Sequence, residues 1–81
     1  MEVSAEDLKL RVQIFLSSFS ERSPRADVVQ RLIASLDIDT ADTAKRLRIG
    51  QEIENLNQPG VRENFKTPAG AGDELLKRMR A

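Results

Sequence analysis

The chain has 81 residues with 13 basic and 13 acidic side chains, so its balance of charge gives no overall attraction toward nucleic acid or an anionic membrane. It contains no Cys and no His, which excludes disulfides, the usual zinc sites and the usual proton shuttle. Hydrophobic residues make up 40% of the sequence, enough for one small core and one domain, with independent folding marginal at this length.

The opening stretch Met1-Glu2-Val3-Ser4-Ala5-Glu6-Asp7 is acidic and lacks the basic-then-apolar pattern of a secretory signal. Apolar runs such as Ile14-Phe15-Leu16 are far too short to span a bilayer, so the expectation is a cytoplasmic protein with no membrane partner. Ser4 followed by Asp7 outlines a capping box and predicts a helix over 4–19. Leu8, Val12, Phe15, Leu16 and Phe19 share one side of it, whereas Val3, Leu10 and Ile14 line the opposite side. A helix with two apolar stripes is normally sandwiched between neighbours.

Ser23 before Pro24 marks the start of a second helix over 24–37, because Pro at the first helical position forfeits no hydrogen bond. Val28, Val29, Leu32, Ile33 and Leu36 give it one clean stripe. A short connection, in which Asp39 or Thr40 can act as cap, leads to a third helix over 40–57. Its apolar residues change sides midway: Ala44 and Leu47 on one, Ile49, Ile53 and Leu56 on the other. The change coincides with Gly50, so a kink, a break or burial on two sides is expected. Pro59 closes this helix.

Residues 58–72, with Pro59, Gly60, Pro68, Gly70 and Gly72, read as an irregular segment in which Val61 and Phe65, at i, i+4 spacing, form one docking turn. Asp73 then caps a last helix over 73–80, with Leu75, Leu76 and Met79 on one side and Lys77, Arg78 and Arg80 at its end. So short a helix is unstable alone and has to dock, in cis or on a partner. The organisation expected is therefore an all-α bundle of three to four helices: a helical core over 1–57, then an extended segment and short helix over 58–81.

No catalytic set assembles from what remains. Carboxylates, Lys and Ser need a dry pocket to shift their pKa values, and a bundle this small seldom has one. Asp37, Asp39 and Asp42 fail the calcium-loop pattern, with Ala41, Asp42 and Arg48 at its fifth, sixth and twelfth positions. Gly70-Ala71-Gly72 lacks a preceding strand and is followed by Asp73, where a phosphate would have to sit. No enzyme activity, cofactor or metal is expected.

Two binding classes stay open. The first is a non-enzymatic protein–protein interaction or regulatory protein, acting through Val3, Leu10, Ile14, Val61, Phe65, Leu75, Leu76 and Met79, with its own copy as partner. The alternative is a small DNA-binding regulator of helix-turn-helix type using Lys45, Arg46 and Arg48 on the third helix. Against it stand the acids Asp37, Asp39 and Asp42 at the start of that helix, which repel phosphate.

Overall fold

The computed structural model describes residues 3–19, 26–65 and 67–80. Within them run α1 (Ala5–Ser17), α2 (Ala26–Leu36), a 3₁₀ turn (Ile38–Thr40), α3 (Thr43–Leu56), α4 (Pro59–Arg62) and α5 (Pro68–Arg80). The all-α class predicted from the sequence is the class observed. The Ser23–Pro24 start signal lies outside the described residues.

Local chemistry sets the helix ends. Ser4 caps α1, its hydroxyl oxygen accepting the Asp7 N–H at 3.1 Å. At the end of α2, Asp37 adopts a left-handed conformation with φ 53°, which Asp tolerates better than most non-glycine residues. That bend turns the chain into the 3₁₀ turn and drives Ile38 into the core. The cap of α3 is therefore Asp42, whose Oδ1 accepts the Lys45 N–H at 2.8 Å, and not Asp39 or Thr40. Residues 38–40 are taken up in burying Ile38, so α3 starts at Thr43 instead of 40.

Helix α3 is unbroken at Gly50 and buried on one side only. Ile49, Gly50, Ile53 and Leu56 face inward, whereas Ala44 is exposed and Leu47 is 47% exposed.

The larger correction concerns residues 58–72, which are mostly helical. Pro59 starts α4 at its first position, and Arg62 ties this turn to the end of α1. The Arg62 Nη2 donates to the Ser18 carbonyl at 2.7 Å, and the guanidinium lies over the Phe19 ring at 5.2 Å. Phe65 packs edge-on against Phe19, and Phe19 against Phe15. Helix α5 then begins five residues before Asp73, at Pro68. Thr67 is its cap: its hydroxyl oxygen accepts the Gly70 N–H and its carbonyl accepts the Ala71 N–H, both at 3.1 Å.

The added turns give α5 the length to cross the bundle. It packs against α1, α2 and α3. Its direction is antiparallel to α1, since Phe65 meets Phe19 while Gly72, further along, meets Leu16. Helix α3 runs parallel to α1, with Asp39 beside Lys9 and Gly50 beside Arg11. At Gly72 the missing side chain lets α5 approach Leu32 and Leu16 closely; a Cβ there would lie 3.4 Å from Leu32 Cδ2. The core is entirely apolar among the described residues, with Leu8, Val12, Leu16, Ile38, Ile49, Leu56 and Leu75 fully enclosed. The radius of gyration, 11.7 Å, equals the roughly 12 Å of a folded globule of this length.

Two outcomes follow from this packing. Leu75 is wholly buried, so Leu75→Ala should cost about 2–5 kcal/mol in urea unfolding, a large share of a small domain's total stability. A freely attached tail would show no change.

The second concerns Lys9, whose pKa is raised above the ordinary lysine value. The chief cause is its hydrogen bond to Asp39, at 2.6 Å, with Glu6 adding attraction. Because the folded value is the higher one, this pair stabilises at neutral pH and its contribution fades as pH rises through the Lys9 pKa. The urea midpoint of Asp39→Asn should thus fall slightly below that of the unaltered protein at pH 7, and the difference should close above the lysine range.

Candidate interaction surfaces

The structure separates the eight apolar residues that the sequence assigns to an interface. Leu75 is core and inaccessible to any partner. Its companions Leu76 and Met79, with Val3, Val61 and Phe65, are half-buried and pack against that core, so most of their apolar area closes the domain itself. The added length of α5 explains this: the segment expected to dock in cis or on a partner folds back in cis. Leu10 and Ile14 behave differently. They are 53% and 61% exposed, one turn apart on α1.

This pair sits on the outer ridge of α1 between two grooves. On one side a groove of about 560 Å³ toward α2 is bordered by Leu10, Lys9, Gln13, Ile33 and Asp39. On the other, a groove of about 260 Å³ toward α3 is bordered by Ile14, Arg11, Gly50, Ile53, Glu54 and Asn57. Among the described residues the remaining exposed large apolar side chain, Leu47, shares with Gly50 and Glu54 the side of α3 that borders this second groove, given their spacing along the helix. Charges of both signs frame the ridge. Arg11 reaches Asp7 at 3.7 Å, and Glu54 stands across the groove.

Gly50 has a Cβ-sized space above it: the nearest side-chain atom to a built Cβ is Arg11 Nη1 at 3.6 Å, an ordinary contact. The monomer therefore has room for Ala at a position where Gly weakens the helix.

The basic residues of α3 differ in their surroundings. Arg48 Nη2 donates to the Arg78 carbonyl of α5 at 3.1 Å, tying it to the end of that helix. Lys45 and Arg46 are half-buried, and the Arg46 Nε is enclosed without a hydrogen-bond partner among the described residues. The acids near the start of α3 are structural: Asp42 caps the helix and Asp39 holds Lys9. What the sequence could not show is that α5 ends beside α3. A shallow slot of about 130 Å³ is lined by Ser35, Leu36, Lys45, Leu76, Met79 and Arg80, contributed by α2, α3 and α5. Lys45 and Arg80 are 35 positions apart in the chain, and no local pattern announces that they meet.

Among the described residues, no group of three or more Asp or Glu side chains is placed to hold a metal ion, and no helix is long and apolar enough to cross a membrane. Comparison with known protein families, curated proteins and solved structures finds no match for this chain.

The space over Gly50 gives a direct test of whether its glycine serves the fold. Gly50→Ala should raise the urea midpoint by an amount worth up to about 1 kcal/mol. A loss of stability would show instead that the groove has no room for the methyl group.

Proposed function

We propose that this is a non-enzymatic interaction protein that associates with a second copy of itself through the outer ridge of α1. The observation that carries the reading is the pair Leu10 and Ile14, more than half exposed on successive turns while the other stripe of the same helix fills the core. A large apolar side chain held in water gains roughly 25 cal/mol for each Å² that a partner covers, and neighbouring ones gain together.

Mixed charge favours a second copy over a partner of one sign. A two-fold interface places a patch on itself, so a ridge of single charge would repel its own image. Here Asp7, Arg11 and Glu54 supply both signs beside the apolar residues. The small size of the domain adds to the case, because covering the ridge stabilises the folded state by mass action.

Sedimentation velocity over a range of concentrations tests the proposal. The average mass should rise toward that of a dimer in the unaltered protein, and stay that of a monomer in Leu10→Glu and Ile14→Glu. Both variants should keep the helical circular dichroism, with stability changed by no more than about 0.5 kcal/mol, since exposed positions tolerate charge. A protein that stays monomeric at millimolar concentration sinks the reading.

A further inference from the structure

We infer a second binding surface, the slot where the end of α2, the first turn of α3 and the last turn of α5 meet, and we propose that it takes an acidic peptide segment anchored by one apolar side chain. The proposal concerns a partner other than a second copy. None of the slot's lining residues belongs to α1, so it stands or falls independently of self-association.

Size and lining define the occupant. Leu36 is buried at its base, and Leu76 and Met79 form half-buried walls. A cavity of roughly 150 Å³ accommodates a benzene ring, so this slot of about 130 Å³ suits one Leu or Phe side chain. Met79, unbranched and polarisable, adapts to either.

Charge defines what flanks the anchor. Lys45 and Arg80 stand at the rim, and no acid lines the slot. Among the described residues neither of these two cations has an ion-pair partner. Glu52 and Glu74 both hold Arg78, and Asp42 accepts the backbone N–H of Lys45 as the cap of α3. Exposed Lys77 extends the positive surface along α5. Bases in the last turn of α5 are accounted for by its dipole, but Lys45 is not so explained within its own helix. It lies in the first turn of α3, where the dipole disfavours a cation. Asp or Glu on either side of the anchor supplies the missing counter-charge at the rim.

Nucleic acid fits this surface less well. Its floor is aliphatic and offers no aromatic face on which a base could stack.

Fluorescence anisotropy at low salt would test the proposal with three labelled probes. These are a short synthetic peptide of Asp and Glu around a central Leu, the same peptide with Ser for Leu, and a short DNA duplex of similar charge. The Leu peptide should bind saturably. The Ser peptide, and the Lys45→Glu and Arg80→Glu variants with the Leu peptide, should bind about tenfold more weakly or worse. Both substitutions lie outside the core, and circular dichroism would confirm that the variants fold. Absence of peptide binding overturns the proposal. So does equal binding of the Leu and Ser peptides, which would mean charge attraction alone. Tighter binding of the duplex, lost in the same two variants, would assign the surface to nucleic acid instead.

Discussion

The docking of α5 is the contact on which the rest of the structure depends. Helices α1, α2 and α3 alone leave the apolar faces around Leu16 and Leu32 without a cover. Leu75 and Ala71 of α5 are wholly buried, and Gly72 brings the backbone of α5 near Leu32 and Leu16. Close approach matters because dispersion attraction falls steeply with a gap of even half an ångström. A domain without disulfide or metal has little else to draw on. The outer connections serve the same end: Arg62 and Phe65 fasten the chain to Phe19 just before α5 begins.

The docking of α5 also settles which surfaces are spent and which are left over. By taking Leu75 into the core and pressing Leu76 and Met79 against it, α5 removes most of the apolar residues that would otherwise ask for a partner. It covers only one stripe of α1. The opposite stripe keeps Leu10 and Ile14 in water. At its far end α5 brings its own bases next to Lys45, creating a positive rim that exists on no single helix. One packing event thus leaves two surfaces of contrasting chemistry, an apolar ridge with mixed charge and a slot rimmed by cations.

Much of the fold was legible in the sequence where the signal is local and repeated. The stripe of α1, from Leu8 to Phe19, follows helical periodicity and is buried; of the α2 stripe, Val29, Leu32 and Leu36 are buried and Val28 and Ile33 half-buried. The errors arose where two local signals compete. Thr67-Pro68 carries the same cap-then-proline signature as Ser23-Pro24. Pro68, Gly70 and Gly72 nevertheless read as breakers, although in α5 Pro68 stands at the first position and Gly72 serves close approach. Asp39 and Thr40 looked as good a cap as Asp42, because nothing local reveals that Ile38 must first be buried. For α3 the periodicity itself was ambiguous: only the tertiary packing decides that Ile49 and Ile53 face inward and Leu47 does not.

The candidate surfaces were less legible for a related reason. A periodic stripe says that a face is apolar, but whether it meets the chain's own tail or solvent depends on how far that tail reaches. Reading α5 as starting at 73 left it too short to cover the bundle, and so assigned Leu75 outward. Starting it at 68 reverses that assignment and leaves Leu10 and Ile14 as the part of the list still open to water. Even so, the exposure of an apolar ridge is a thermodynamic cost to the monomer, and a glycine at position 50 is a further one where the fold has space for alanine. The first of these costs is recovered if the surface is used, because a partner that covers Leu10 and Ile14 removes them from water. A face kept only for solubility would be better served by polar residues at Leu10 and Ile14.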